Sequence, residues 1–263
     1  MAVNWRRPRK HMMTLYLAEY APVWWASTPL RLATAAAVTL SFAWLGRRVR
    51  GVSNSGAVAG GVICFLLLTC VGPPGFLALF SLFAVTWIAT RLGRQRKQRL
   101  GTAEGREGRT AEQVLANLSV AAICAVMYAT RGEPLWGLAM AAALAEAAAD
   151  TVSSECGQAF SKTARLITTF KSVPVGTDGG ISVAGTLFGI GAAILIGLVC
   201  VVSRLTPARW LWLATTAGVV GMLADSVLGA WLERRRWLNN DQVNLAGTVI
   251  ASVIGACLAR AFS

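Results

Sequence analysis

The chain has 263 residues, 55% of them hydrophobic and only 14% charged, with a mean hydropathy of +0.56 and a formal net charge of +13. Soluble globular domains carry roughly a quarter charged residues, so this composition excludes an ordinary soluble domain and points to a protein embedded in lipid. Attraction to anionic headgroups accounts for the basic excess, and nucleic acid is not expected as a partner.

In chain order, residues 1–29 form a basic and aromatic tail. Arg6, Arg7, Arg9 and Lys10 look like the start of a signal peptide, but Glu19 and Pro22 interrupt the stretch where its apolar region would lie. Tyr16, Tyr20, Trp24 and Trp25 predict instead a segment lying among the headgroups. From residue 30 to 263 the apolar residues come in blocks close to the ~20 residues that cross a bilayer. The blocks are Leu30–Leu45, Val58–Val71, Phe76–Leu92, Val114–Thr130, Leu135–Ala149, Ile181–Val202, Trp210–Leu232 and Val243–Ala261, the fifth being short and rich in alanine. They lack the alternation of barrel strands. The fold class is therefore all-α, a single polytopic transmembrane helical bundle of seven to eight spans.

Cys64, Cys70, Cys124, Cys156, Cys200 and Cys257 include no CxxC pair, which argues against a zinc site or a disulfide framework. The single histidine, His11, lies in the tail, so a Ser–His hydrolase or a histidine phosphatase would have no membrane imidazole to use.

With eight spans, the loops after the first, third, fifth and seventh share one side. Arg47, Arg48, Arg50, Arg91, Arg94, Arg96, Lys97, Arg99, Arg106, Arg109, Lys162, Arg165, Lys171, Arg234, Arg235 and Arg236 fall there, sixteen of the 25 basic residues. The positive-inside rule puts these loops in the cytoplasm and both termini outside, although the basic tail pulls the other way.

Charged groups at membrane depth cost about 2.5–3.5 kcal/mol each on insertion scales, so those present need a reason. The fifth span leads into Glu146, Asp150, Ser154 and Glu155, and the seventh carries Asp225, Ser226 and Glu233. At four-residue spacing Glu146, Asp150 and Ser154 share a helix face, as do Asp225, Gly229 and Glu233. Two such faces suit a divalent cation, and Mg2+ is the natural one because it takes carboxylates together with substrate phosphates. Glu146 and Glu233 read equally well as solvated or snorkelling groups near helix ends.

Between these helices runs Lys171-Ser172-Val173-Pro174-Val175-Gly176-Thr177-Asp178-Gly179-Gly180-Ile181-Ser182. Its glycines, its hydroxyls and the helix start after it make an anion-binding loop plausible, with Lys171 and Arg165 adding charge. A turn between spans is the plainer reading, and no GxxxxGK[ST] string occurs. A faint internal repeat accompanies the loop. Gly51-Val52-Ser53-Asn54-Ser55-Gly56 with Gly60 matches Gly180-Ile181-Ser182 with Gly185 and Gly189, and Gln242-Val243-Asn244 is a weaker third copy. The spaced glycines suit helix packing. Ser53, Asn54, Ser182 and Asn244, with Gln113 and Asn117 opening the fourth span, are better site candidates at the mouth. The polar clusters thus converge on one membrane face.

The strings from Asp150 to Gly157, from Lys171 to Ser182 and from Asp225 to Ala230, together with Gly51–Gly56 and Gln113–Asn117, resemble the phytyl-phosphate kinase family of integral membrane proteins. That family was long catalogued as one of unknown function and includes animal transmembrane members. The resemblance runs from about Leu30 to the C-terminus and departs from the family pattern at Ser153, where alanine is usual, and at Glu233, where glutamine is expected. It implies a kinase that moves a phosphoryl group from a nucleoside triphosphate, of the CTP or ATP type, to a phytyl or other prenyl monophosphate. The expected location is the bacterial cytoplasmic membrane, with lipid, prenyl phosphate and nucleotide as partners. Under that reading Asp150, Glu155 and Asp225 would hold Mg2+, and Lys171 with Gly176, Thr177, Asp178, Gly179 and Gly180 would cradle phosphates. Arg165, Ser53, Asn54, Gln113, Asn117, Ser182, Ser226 and Asn244 would complete the binding surface. A transporter is the rival reading, since repeats, broken helices and intramembrane carboxylates occur there too.

The orientation is open to a direct test. In a background lacking reactive cysteines, a cysteine placed at Arg99 should resist a membrane-impermeant thiol reagent in intact cells, whereas one at Gly132 should react. The reverse pattern would turn the protein over.

Overall fold

The structure is a computed structural model that describes residues 28–105 and 107–262. The expected interfacial tail lies outside these residues except for Thr28 and Pro29, which open the first helix. All eight anticipated spans are helical: α1 (Thr28–Arg48), α2 (Asn54–Cys70), α3 (Pro73–Arg91), α5 (Ala111–Arg131), α6 (Pro134–Phe160), α7 (Val183–Val202), α8 (Leu211–Leu228) and α9 (Asn240–Ala261), with a short α4 (Arg94–Leu100) between the third and fourth. Among the described residues seven helices are long and apolar enough to cross a membrane, and α2 is a shorter apolar helix of 17 residues.

Two expectations need correction, and one extends. The apolar block of the fifth span closes at Ala149, but its helix continues through Asp150, Ser154 and Glu155, as their helical spacing requires, and runs 27 residues to Phe160. Its hydropathy fades where Asp150, Ser154 and Glu155 begin, yet Asp150 and Glu155 meet other protein elements rather than lipid, so the helix has no reason to end. The segment after it is not a simple loop. Ala164–Leu166 (β1) pairs antiparallel with Ser172–Val173 (β2) on one edge and Gly180–Ile181 (β3) on the other, so the sixth span begins at Val183 rather than Ile181. The seventh span passes from α8 into a π-helical turn, Gly229–Glu233, closed by the Arg234 N–H donating to the Gly229 carbonyl at 3.2 Å.

α6 is the axis of the bundle. From Leu138 to Ala149 its side chains are buried without a break, and α3, α5, α7, α8 and α9 all pack against it. Eight of these twelve residues are alanine, the strongest helix former, whose methyl group lets neighbours come close. The neighbours answer with glycine. A Cβ at Gly185 of α7 would stand 2.6 Å from the Ser153 carbonyl oxygen, one at Gly189 2.9 Å from that of Ala149, and one at Gly218 of α8 2.8 Å from the Ala145 methyl. The loops after α1, α3, α6 and α8 gather at one end. There Arg109 meets Gly51, Arg96 donates to Ser161, and Gly179 abuts Ala230.

Close packing and helix propensity therefore separate at two glycines. Gly218→Ala should lower stability by about 1–3 kcal/mol because the added methyl overlaps α6. Gly191→Ala meets nothing within 4 Å and should raise stability by about 0.5–1 kcal/mol. Thermal unfolding in detergent measures both, and equal effects would remove the packing account.

Candidate active site

The carboxylates come from two helices. Glu146 and Asp150 share one face of α6, and Asp225 meets them from α8 with its carboxyl within hydrogen-bonding reach of Asp150. Glu146 is 1% exposed, so it is neither solvated nor snorkelling, and that reading is corrected. Its two oxygens are buried without a hydrogen-bond partner among the described residues. Gly221 and Gly247 press on it so closely that a Cβ there would lie 2.6 Å from Glu146 Cγ and 2.5 Å from its Oε1.

Amides extend this pair toward the mouth. With the Asn244 amide oriented by its neighbours, its nitrogen donates to Asp225 Oδ2 at 3.2 Å and to the Asn240 carbonyl at 3.3 Å, while its oxygen accepts from Asn117 Nδ2 at 3.3 Å. Asn117 Nδ2 also donates to the Gln113 carbonyl at 2.9 Å. One polar line thus joins α5, α9, α8 and α6.

Sequence reasoning placed Arg109 only among the loop charges, yet the structure brings it within electrostatic range of Asp150. Its Nη2 donates to Thr151 Oγ1 at 3.2 Å. The backbone around it is strapped to the start of α2: Arg109 N donates to Gly51 O at 3.2 Å, and Ser53 N donates to Arg109 O at 2.9 Å. The strap needs glycine, because a Cβ at Gly56 would sit 2.1 Å from Arg109 O and one at Gly108, where φ is +82°, 2.6 Å from the Gly51 carbonyl carbon. Gly51, Gly56 and Gly108 were the available signal, legible only once the two segments are known to touch.

Other expected residues have local duties. Ser53 and Ser182 accept from Gly56 N and Gly185 N, each at 3.1 Å, as helix caps. Gln113 completes a capping box with Thr110. Asn54 Oδ1 accepts from Arg47 Nε at 2.5 Å, and Ser226 bonds back to Met222 O at 3.3 Å. The 176–180 segment uses two of its own N–H groups, Thr177 to Pro174 O at 3.3 Å and Gly180 to Thr177 O at 2.8 Å. Gly179 (φ +71°) is needed for packing, since a Cβ would lie 2.5 Å from Ala230 N in the π turn. Asp178 faces Glu233, which also stands within electrostatic range of Asp150 and Asp241. Arg165 and Lys171 are exposed on the sheet, and Arg165 Nη1 donates to Phe170 O at 3.1 Å.

The trio of Asp150, Glu155 and Asp225 is not gathered. Five residues along a helix turn the side chain by about 140°, so Glu155 leaves the Asp150 face. Its Oε2 instead accepts from Lys97 Nζ at 2.5 Å, and that amine, 1% exposed, also donates to Thr90 O at 2.7 Å and Ala89 O at 3.1 Å. Among the described residues no three His, Cys, Asp or Glu side chains stand close enough to hold a metal ion by themselves. Mg2+ completed by substrate phosphates and water needs only one or two carboxylates. Asp150 and Asp225 fit that requirement, and the acidic crowd of Glu146, Glu233 and Asp178 around them favours positive charge.

The family described as integral membrane protein DUF92 matches residues 37–252 of the chain. Among curated proteins the chain is 33% identical over 216 residues to Protein VTE6, chloroplastic, of Arabidopsis thaliana, covering 78% of this chain and 65% of that protein, less than two thirds of its length. It is 32% identical over 231 residues to uncharacterized membrane protein MJ0933 of Methanocaldococcus jannaschii, covering 88% of this chain and 95% of that one. Uncharacterized membrane protein sll0875 of Synechocystis is 34% identical over 198 residues, 73% of this chain and 77% of its own. No solved structure matches.

The Lys97–Glu155 pair yields a stability test. Glu155→Ala strands a buried ammonium and should cost about 3–5 kcal/mol, while Lys97→Met with Glu155→Leu should recover most of that loss. Thermal unfolding of the two variants checks it. An Ala variant that unfolds like the wild type but has lost activity would return Glu155 to the catalytic set.

Proposed function

The chain belongs to the integral membrane protein family DUF92, and from that premise we propose that it is a kinase for isoprenoid monophosphates such as phytyl phosphate, with a nucleoside triphosphate as donor. The observation that carries the reading is the side-by-side pair of Asp150 and Asp225 with Arg109 in electrostatic range, hydrogen-bonded to the adjacent Thr151, just inside the mouth where the basic loops gather. Carboxylates beside a guanidinium suit chemistry in which several phosphate charges meet a divalent cation. Phosphoryl transfer asks the protein mainly for positioning and charge stabilisation. An oxygen of the acceptor phosphate attacks the γ-phosphorus, the bond to the β-bridging oxygen breaks, and the nucleoside diphosphate leaves. The attacking oxygen is already ionised, so no histidine base is required.

In this reading Asp150 and Asp225 hold Mg2+, which when bound neutralises charge on the donor phosphates. Asn244 and Asn117 keep Asp225 turned toward Asp150. Arg109, fixed by Thr151 and the strap on Gly51, presents its remaining N–H groups to phosphate oxygens. Arg165 and Lys171, exposed on the neighbouring sheet, meet the incoming nucleotide. The site faces the cytoplasm, where nucleotides are found.

Depth favours this over transport. Asn117 lies seven residues inside the Thr110 cap, about 10 Å by helical rise, short of the midplane of a ~30 Å hydrocarbon core, whereas transporter sites sit near that midplane.

Purified protein incubated in detergent with Mg2+, a panel of nucleotides and a panel of prenyl monophosphates should form prenyl diphosphate. Asp150→Asn and Asp225→Asn should each lower turnover at least about 100-fold. Each should also remove the Mg2+-dependent rise in melting temperature while leaving a folded protein. Near-normal turnover in either variant would refute the shared site, and solute movement across liposomes without diphosphate formation would favour the transporter.

A further inference from the structure

Beside the carboxylates runs a second feature that the sequence did not announce. Gly56, Gly60 and Gly61 of α2 carry no side chains, and the groove they line is faced by Phe42 of α1 and by Leu79 and Phe83 of α3. Leu118 of α5 and Ala147 of α6 close its inner side. Along α3 the lining extends from Leu79 to Arg91, twelve residues or about 18 Å by helical rise. Phe42 is held in place by Phe76 and Phe83, with ring centroids at 5.5 and 5.3 Å. The depth of the groove is thus apolar and firmly walled.

Its mouth is cationic. Arg50, Arg91, Arg94 and Arg109 line it, with Glu104 the one acidic side chain among the described lining residues. Arg91 is engaged, stacked 4.2 Å over the Trp87 ring and donating to Val49 O. No carboxylate lies within ion-pair distance of Arg50, Arg94 or Arg109 among the described residues. Arg50 is held at φ +54°, an unusual backbone for a residue other than glycine. Two lining residues reach the catalytic carboxylates: Arg109 through Thr151 beside Asp150, and Asn117 through Asn244 to Asp225.

We propose that this groove seats the acceptor substrate. The chain of a prenyl monophosphate lies between α1, α2 and α3, and its phosphate rests on Arg109 with Arg50 and Arg94 beside it. Apolar depth below a cationic mouth complements an anionic amphiphile. The identity of the occupant rests on the kinase reading; the groove and its charge do not. Phe42 and Phe83 are then the residues that set which chains fit.

Gly60→Leu tests this without disturbing the backbone, since a Cβ there meets only Val114 Cγ1 at 3.9 Å. Binding of farnesyl monophosphate is measured without nucleotide, and KM values with it. Gly60→Leu should weaken farnesyl monophosphate at least about tenfold, leave the nucleotide KM unchanged and spare dimethylallyl monophosphate, which is too short to reach the filled depth. Arg109→Gln should weaken both phosphates. Unchanged farnesyl monophosphate binding in Gly60→Leu overturns the groove even if the enzyme makes diphosphate. Gly60→Leu-sensitive binding with no diphosphate from any nucleotide keeps the groove and sinks the kinase. Displacement of the probe by phosphatidic acid or inorganic phosphate as readily as by farnesyl monophosphate overturns the single-chain occupant.

Discussion

Everything at the site depends on one helix being surrounded on all sides. α6 offers methyl groups over three turns, and α8 and α9 answer with Gly218, Gly221, Gly247 and Gly255. Only at that separation can carboxylates projecting from α6 and α8 meet, because longer side chains at the contacts would hold the helices apart. The same closeness leaves Glu146 enclosed with neither oxygen paired. An unpartnered buried carboxyl is costly, so the geometry that brings Asp150 to Asp225 is maintained against a local electrostatic penalty.

A second close approach supplies the positive charge. The chain leading into α5 lies against the start of α2, with backbone contacts that any Cβ at Gly56 or Gly108 would prevent. Arg109 is therefore held by its main chain and by Thr151, and little freedom is left to lose when it meets an anion. A third contact, Gly179 on the π turn of α8, fixes the sheet against the carboxylate helices. π turns are frequent at functional sites, where the extra residue changes the aim of the side chains beyond it. Here the residue re-aimed is Glu233, which stands toward Asp178 and Asp150.

Several polar residues that look like ligands in sequence close helix ends instead. Helices that begin at the membrane boundary carry orphan N–H groups, and hydroxyls or amides at their first residues satisfy them with the least rearrangement. Ser53, Ser182 and Gln113 do this, and Lys97 with Glu155 ties α4 to α6. Convergence of polar residues at one membrane face thus has two causes, capping and chemistry, and only contacts tell them apart.

Hydrophobic block length determined the all-α class and the eight helices, because backbone hydrogen bonding in lipid leaves no other closed solution for these runs. The period of the helix also put Asp150 in line with Glu146 and placed both, with Asp225, near the loop-rich end. Family membership was legible too, in the strings around Asp150, Gly179 and Asp225. Hydropathy could not mark the end of α6, since it reports transfer to lipid and that segment meets protein. Nor could sequence show that Glu155 turns to Lys97, that Arg109 rather than a loop lysine stands in electrostatic range of Asp150, or that glycines of α2 line a groove. Each of these is a contact between segments dozens of residues apart, and the distance of closest approach between two helices is fixed by both surfaces together, which only the tertiary structure brings face to face.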